Sequence, residues 1–200
     1  MQPGVHIMNT ALHELLNELE AWGRQQDAVA PSHQNKMLNL DQITAHLVSI
    51  LVRSSNRRSL LEIGTSNGYS TIWLAWAVSL TEGHVTSIER NKERQALADT
   101  NLQRAGLRDK VDLLLGDATD VVRTLDGPFD CVFFDADRLS APEQLALLRP
   151  RLAPSALLMA DNALSHPDEI APYLAAVTAL PEADHMIIPI GKGLSVAYLG

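Results

Sequence analysis

The stretch that decides the fold of this chain is residues 60–70, LLEIGTSNGYS, where an apolar strand runs into a turn that contains two glycines. Glu62, Gly64 and Gly68 fit the pattern E-x-G-x-x-x-G, and a helical run follows from residue 71 to residue 80. A glycine between a strand and a helix allows a tight turn and lets a ligand approach the bare backbone. The pattern therefore predicts a ligand-binding strand–turn–helix unit.

The ligand expected at this turn is a nucleoside without a pyrophosphate. Dinucleotide-binding turns have the pattern G-x-G-x-x-G, in which the second glycine makes room for the pyrophosphate. In this chain Ser66 stands at the second glycine and Tyr69 at the third. The difference argues against a nicotinamide-dependent oxidoreductase and favours S-adenosylmethionine as the nucleoside.

The amino-acid composition limits which binding partners and which cellular compartment can be expected for this protein. The chain has 200 residues, and its 24 acidic against 16 basic residues argue against nucleic acid or an anionic membrane as a partner. No apolar run in the sequence reaches the roughly 18 residues that a membrane-spanning helix needs. The first residues lack the basic start and cleavage site of a secretory signal, and Cys131 is the only cysteine. We expect a cytoplasmic protein without an internal disulfide bond.

Helical and strand-like segments alternate along the chain. Two helices are expected first, at about 12–22 and 41–53, with Asn9 or Thr10 capping the first and Asp41 the second. Predicted strands cover residues 59–63, 84–89, 111–115, 130–134, 155–160, 185–190 and 194–199. Predicted helices between them cover residues 69–80, 91–105, 117–125, 141–152 and 167–179.

This alternation predicts an open α/β sheet with right-handed crossovers. Strands such as CVFF and ALLMA are apolar on both faces, which is typical of a parallel sheet covered by helices on both sides. Residues 191–193 are too few for a crossover, so the last two strands should form an antiparallel hairpin at one edge. We expect a single domain, residues 1–200, with a helical appendage at 1–55 and a ligand-binding sheet core at 56–200.

Acidic residues follow the second and third predicted strands, where ligands bind in such a sheet. Glu89 could accept hydrogen bonds from both ribose hydroxyls, and Asp117 could accept one from an adenine amine. Ser70 and backbone N–H groups at the start of the first sheet helix could hold a carboxylate. Taken singly, Glu89 could equally be a solvated acid and Asp117 a helix cap. Their order at consecutive strand ends favours a nucleoside site.

The fourth and fifth predicted strands also end in polar residues. Asp135 follows the fourth strand, and Asp161 and Asn162 follow the fifth. If these strands are neighbours, roughly 4.8 Å apart, the three side chains can converge on one point. Three hard oxygen donors suit Mg²⁺, with Mn²⁺ or Ca²⁺ as alternatives, rather than zinc. The competing interpretation is that Asp161 and Asn162 start a turn and that Asp135 caps a helix.

As a set, these residues resemble the cation-dependent O-methyltransferase family, which includes catechol and caffeoyl-coenzyme A O-methyltransferases. The resemblance runs from about residue 31 to the C-terminus and rests on LLEIGTSNGYSTIWLA, SIERN, LLLGDA, FDCVFFDADR, LLMADNALSH and PIGKGLSVAYL. It implies a Rossmann-like, seven-stranded, mostly parallel sheet with an antiparallel last strand, helices on both faces and extra N-terminal helices. It also implies a homodimer.

The resemblance further implies a reaction and its residues. The reaction is methyl transfer from S-adenosylmethionine to a hydroxyl of a small, catechol-like or phenolic acceptor, assisted by a divalent cation. The cation would be held by Asp135, Asp161 and Asn162, and Asp135 and Arg138 would be catalytic. The cofactor-binding residues would be Glu62, Gly64, Thr65, Ser66, Gly68, Ser70, Glu89, Arg90, Gly116, Asp117, Ala118 and Asp135.

The chain departs from the family pattern at Arg138. The family often has D-A-D-K and a tyrosine three residues later, whereas residues 135–141 here read DADRLSA. In catechol O-methyltransferase that lysine is the proposed general base, but arginine stays protonated and cannot take the proton. Either the cation lowers the pKa of the acceptor hydroxyl enough, with Arg138 steadying the oxyanion, or another base serves, with His166 and His33 as candidates.

Two alternatives to this function stay open. One keeps the methyl donor but changes the acceptor to a non-phenolic group, and the other is a binding protein that has lost catalysis through the change at Arg138. Two further segments bear on the pocket: Met37 and Leu38 could line its entrance, and Lys192, between two glycines, is interpreted as a hairpin turn residue.

Overall fold

The computed structural model describes residues 8–32 and 35–200. A seven-stranded sheet forms its centre, with the strand order β3-β2-β1-β4-β5-β7-β6. The strands are β1 (Ser59–Ile63), β2 (His84–Glu89), β3 (Val111–Leu115), β4 (Phe129–Phe134), β5 (Leu152–Ala160), β6 (Ala183–Ile188) and β7 (Leu194–Leu199).

Strand direction agrees with the sequence-based prediction. Strands β1 to β5 are parallel to one another, whereas β7 is antiparallel to both β5 and β6. The chain moves outward from β1 to β2 and β3 and then returns to β4 on the other side of β1. Strand order therefore reverses between β1 and β4, which is where open α/β sheets bind ligands.

Seven helices accompany the sheet in the described part of the chain. They are α1 (Thr10–Val29), α2 (Gln42–Ser54), α3 (Tyr69–Ser79), α4 (Lys92–Arg104), α5 (Ala118–Thr124), α6 (Ala141–Leu148) and α7 (Pro167–Thr178). Buried residues of α1 to α4 form one core on one face of the sheet, and those of α5 to α7 form a second core on the other face. The expectation of helices on both faces is confirmed.

Helix α1 packs its leucine stripe into the first core. Leu12, Leu15, Leu16 and Leu19 are buried there together with residues of α2 and α3. Asn9 is its N-cap, because Asn9 Oδ1 accepts a hydrogen bond of 2.8 Å from the backbone N–H of Leu12. The leucine stripe of α1 is therefore buried against other helices of the same chain.

Several predicted boundaries were wrong: α1 runs from Thr10 to Val29 rather than over about 12–22, and prolines account for two of the others. Helix α6 ends at Leu148 rather than at residue 152, because Pro150 cannot donate the next helical hydrogen bond and a 3-10 turn follows. Strand β6 ends at Ile188 rather than at residue 190, because Pro189 has no N–H for the ladder. Strand β5 starts at Leu152, three residues early, because Leu152 already pairs with Phe129 of β4.

Within residues 8–32 and 35–200, none of the helices has both the length and the apolarity needed to cross a bilayer.

Candidate active site

A cavity of about 550 Å³ opens at the carboxyl ends of the parallel strands. It spans the point where strand order reverses, as the sequence analysis predicted for the ligand site. Nine of the twelve predicted cofactor-binding residues line it: Gly64, Ser66, Ser70, Glu89, Arg90, Gly116, Asp117, Ala118 and Asp135. The predicted catalytic residue Arg138 and the predicted cation ligand Asn162 line the same cavity.

Glu62 lies behind the cavity wall rather than in it. Its side chain is fully buried and accepts hydrogen bonds from the hydroxyls of Ser70 (2.6 Å), Thr71 (2.5 Å) and Ser87 (2.6 Å). Burial raises the pKa of the Glu62 carboxyl, while these three donors act in the opposite direction. Glu62 thus ties β1 to α3 and β2 and shapes the turn from inside.

Thr65 and Gly68 also support the turn from behind. Thr65 is buried, with its hydroxyl 2.6 Å from that of Ser87, and Gly68 precedes α3 with a φ of +85°. A Cβ at Gly68 would lie 3.1 Å from Ala98 of α4, so glycine permits this close helix packing. These two residues and Glu62 are the predicted cofactor residues that do not line the cavity.

Glu89 closes the turn from the end of β2. It is 7% exposed, and its two carboxylate oxygens accept hydrogen bonds of 2.8 Å from the backbone N–H groups of Ser66 and Asn91. Each carboxylate oxygen has a second lone pair, so Glu89 can still accept from hydroxyls in the cavity. The two backbone hydrogen bonds hold the carboxylate in one orientation.

Asp117 is both a helix cap and a cavity residue. Its Oδ1 accepts hydrogen bonds from the backbone N–H groups of Thr119 (2.9 Å) and Asp120 (3.4 Å) at the start of α5. The capping interpretation is therefore correct, but it uses one oxygen of the two. The other oxygen is available to a ligand amine.

Ser70 offers the cavity less than predicted. Its hydroxyl donates to Glu62 Oε1 and therefore cannot donate to a ligand carboxylate as well. Ser66 instead uses its hydroxyl to bind the backbone oxygen of Met37 at 2.9 Å. Met37 and Leu38 belong to a segment, residues 36–40, that forms one wall of the cavity.

Asp135 and Asp161 lie side by side at the ends of neighbouring strands. Phe134 of β4 pairs with Ala160 of β5, and the backbone N–H of Asp161 donates to the oxygen of Phe134 at 3.2 Å. Burial and then repulsion from Asp161 and Glu62 raise the pKa of Asp135 well above its ordinary value. Burial raises the pKa of Asp161 to about 6. The two carboxylates thus lack a counter-charge strong enough to offset their burial.

The donor atoms of this pair fit a hard divalent cation. Asp161 is 3% exposed, yet its Oδ1 has no hydrogen-bond partner in the described part of the chain. Asn162, at a φ of +67°, donates from Nδ2 to Asp161 Oδ2 at 3.1 Å and keeps a lone pair on Oδ1 beside Ser165. Among the described residues no three His, Cys, Asp or Glu side chains converge on a metal position. A cation site here therefore needs the Asn162 oxygen as its third protein ligand.

Arg138 is held by an acidic partner at the cavity wall. Its Nε and Nη2 both donate to Glu169 Oε2, at 2.9 and 2.6 Å.

His166 also lines the cavity, and its Nδ1 lies 2.9 Å from the Ser165 hydroxyl. The other candidate base, His33, lies outside the described residues.

Lys192 is a cavity residue that sequence reasoning missed. It was interpreted as a turn residue, and it does occupy the β6–β7 turn, but it also lines the cavity beside Asn162 and His166. Its positive charge acts to lower the pKa of both Asp135 and Asp161, but burial outweighs it and both pKa values stay raised. No signal in the local sequence places this hairpin beside the end of β5.

Comparison with known proteins agrees with this geometry. The family model described as O-methyltransferase matches residues 8–187. The chain belongs to this O-methyltransferase family. Its fold is shared by members of known structure: the O-methyltransferase from Bacillus cereus in complex with SAH superimposes with a TM-score of 0.79 and 25% identity, over 98% of this chain and 94% of that one. The O-methyltransferase TomG from Streptomyces achromogenes, in complex with SAM, gives 0.75 and 26%, over 96% and 91%.

Curated relatives of this O-methyltransferase family member include two catechol O-methyltransferases. The protein from Niastella koreensis is 33% identical over 77% of this chain and 66% of its own length. The protein from Mycobacterium tuberculosis is 44% identical over 44% of this chain and 40% of its own length. The matched region thus spans less than two thirds of either relative.

Proposed function

We propose that this protein transfers a methyl group from S-adenosylmethionine to a hydroxyl of a small, catechol-like or phenolic acceptor, assisted by a divalent cation. One observation carries the proposal: a nucleoside-type set, Glu89 and Asp117, and a cluster of hard oxygen donors at Asp135 and Asn162 line one cavity. Two solved relatives are complexes with SAH and SAM, and two curated relatives are catechol O-methyltransferases, which supports the same assignment.

The nucleoside half would be bound by residues of β1 to β3. Glu89 would accept from the ribose hydroxyls, and the free oxygen of Asp117 would accept from the adenine amine. Gly64 packs against the backbone of Asp135, where a Cβ has no room, and both residues line the cavity, so the donor would lie beside them. These contacts would align the sulfonium methyl with the acceptor half of the cavity.

The acceptor half would contain the cation. Asp135, Asp161 and Asn162 would hold it, with Mg²⁺ as the first choice and Mn²⁺ or Ca²⁺ as alternatives. When bound, it would act as a Lewis acid that lowers the pKa of the acceptor hydroxyl. Two adjacent hydroxyls on an aromatic ring would suit a cation that keeps open positions.

The reaction would be an in-line displacement. The acceptor oxygen forms a bond to the methyl carbon while the carbon–sulfur bond breaks, its electron pair stays on sulfur, and S-adenosylhomocysteine leaves. Arg138 cannot accept the hydroxyl proton. His166, on the cavity wall, is the candidate proton acceptor among the described residues, and water is the alternative.

Calorimetry and methyl-transfer assays test this function together. We expect S-adenosylhomocysteine to bind, and catechol to be methylated with Mg²⁺ but not after addition of EDTA. Asp161→Ala should abolish the response to Mg²⁺, whereas the control Asp126→Asn, at an exposed residue, should retain it. Unchanged catechol methylation in EDTA would overturn the cation-dependent version.

The hydrogen bonds between Arg138 and Glu169 favour a second candidate function, that of a protein that binds S-adenosylmethionine but does not transfer its methyl group. In that case S-adenosylhomocysteine would bind, no phenol in a broad panel would be methylated, and Arg138→Lys would restore activity.

We also propose the homodimer implied by the family resemblance, which sedimentation velocity of the full chain can test.

A further inference from the structure

The β6–β7 turn holds Lys192 in a fixed place beside the acceptor half of the cavity. The backbone oxygen of Lys192 accepts hydrogen bonds from the N–H groups of Leu164 (2.9 Å) and Ser165 (3.0 Å). The next oxygen, of Gly193, accepts one of 2.9 Å from Ala163. All three donors directly follow Asp161 and Asn162, so the turn is fastened to the loop that carries the predicted cation ligands.

Two glycines make this attachment possible. A Cβ at Gly193, whose φ is +88°, would lie 2.6 Å from the backbone nitrogen of Leu164. A Cβ at Gly191, whose φ is +54°, would lie 2.8 Å from Asp41 Oδ2 at the start of α2. The turn is therefore packed between the β5–α7 loop and α2, which fixes the backbone from which the Lys192 side chain extends.

The positive charge of Lys192 has no ion-pair partner among the described residues, unlike that of Arg138. Arg138 makes two hydrogen bonds to Glu169, whereas in the described part of the chain no carboxylate forms an ion pair with Lys192. The charged or titratable groups that act on or line this end of the cavity are Asp41 ahead of α2, Glu62 in β1, Asp135, Asp137 and Arg138 after β4, Asp161 after β5 and His166 ahead of α7. A half-buried ammonium without a close partner is suited to a ligand oxygen.

We propose that the Lys192 ammonium binds the acceptor oxygen and stabilises its ionised form. The inference rests on the proposed function, because it names a residue that would contact the acceptor. Lys192 donates a hydrogen bond and keeps its own proton. The acceptor's proton leaves to His166 or to water, and the electron pair that remains on the oxygen attacks the methyl carbon. A positive charge beside the acceptor oxygen stabilises the negative charge on that oxygen before and during its attack on the methyl carbon.

The test measures ionisation of a bound acceptor without turnover. The probe is 4-nitrocatechol, whose ionised form absorbs at longer wavelength, bound to the protein with S-adenosylhomocysteine and Mg²⁺. Absorbance against pH gives the apparent pKa of the bound probe. We expect Lys192→Met to raise that pKa by about one unit and Lys192→Arg to restore most of the difference. Lys110→Met, which removes one positive charge far from the cavity, should leave it unchanged.

The possible outcomes distinguish a failure of the role proposed for Lys192 from a failure of the proposed catechol methylation. An equal probe pKa in the wild type and Lys192→Met, with S-adenosylhomocysteine affinity intact in both, overturns the role of Lys192 alone. If 4-nitrocatechol does not bind the wild-type complex, the catechol function itself is wrong and the inference falls with it. Unchanged S-adenosylhomocysteine affinity in Lys192→Met also shows that the variant is folded.

Discussion

Gly64 and Asp135 pack backbone against backbone, joining the end of β1 to the end of β4. A Cβ at Gly64 would lie 2.8 Å from the carbonyl carbon of Asp135 and closer still to its oxygen. The backbone N–H of Asp135 in turn donates to Ile63 at 2.9 Å. This contact sets the separation between the proposed donor and acceptor halves of the site.

Gly64→Ala should therefore damage both stability and cofactor binding. Its φ of +110° strains any other residue, and the Cβ would push β1 and β4 apart. The control is Gly106→Ala, at a φ of +66° with no atom within 4 Å of the added Cβ, which should cost only the strain of roughly 1–2 kcal/mol. Urea unfolding should show a larger loss for Gly64→Ala, and calorimetry at least a tenfold weaker S-adenosylhomocysteine affinity for that variant alone. Equal losses in the two variants would contradict this account.

Glu62 should make stability depend on pH in a predictable direction. The fold raises its pKa above the ordinary 4.5, so above that pH the unfolded chain releases this proton before the folded chain does. The contribution of Glu62 to the free energy of unfolding is thus fully present below about 4.5 and is lost as pH rises through the folded pKa. Glu62→Gln has no proton to release. The difference between wild type and this variant, from urea unfolding across pH, should decline over that window.

The exposed Glu14 provides the matched control for this series. Glu14→Gln should keep the wild-type dependence on pH. If Glu62→Gln keeps it too, the buried carboxyl does not titrate as described.

Cation binding should weaken in mild acid. Burial raises the pKa of Asp161 to about 6 and that of Asp135 well above its ordinary value, and a cation must displace any proton they hold. The Mg²⁺ affinity measured by calorimetry should fall as the pH drops through about 6, by up to about tenfold per pH unit for each proton displaced. Asp161→Asn should bind Mg²⁺ weakly at every pH. A flat affinity for the wild type between pH 5 and pH 7 would refute the assignment of these ligands.

Asp27 should matter for cofactor affinity although it lies on α1, outside the cavity lining. Its carboxylate accepts hydrogen bonds from the backbone N–H groups of Met37 (2.5 Å) and Leu38 (3.0 Å), and so holds the segment that forms one cavity wall. Asp27→Ala should weaken S-adenosylhomocysteine binding about fivefold to tenfold, the order expected for lost charge-assisted hydrogen bonds. Asp109→Ala, at an exposed acid far from this segment, is the control. Equal affinities in the two variants would show that the wall stands without Asp27.

Much of the fold was open to prediction because local sequence and packing agree. The apolar runs that became β1 to β3 were placed to the residue, because a glycine directly follows β1 and β3 and another directly precedes β2. The positions of Glu89, Asp117 and Asp135 at the cavity were also predictable, because parallel strands present their carboxyl ends at one edge. Glu62 was assigned to the cofactor by its motif, but the structure shows that the motif also encodes a buried support.

The sequence by itself determined the strand–helix alternation, the glycine turn and the identity of the polar residues at five strand ends, because these depend on neighbours close in the chain. Only the tertiary structure decided that β7 inserts between β5 and β6, which brings Lys192 to Asp161, and that α1 fastens the segment after it onto Ser66 and the cavity. Those contacts join residues that are roughly ten to thirty positions apart, and their geometry depends on how whole elements pack rather than on any local pattern.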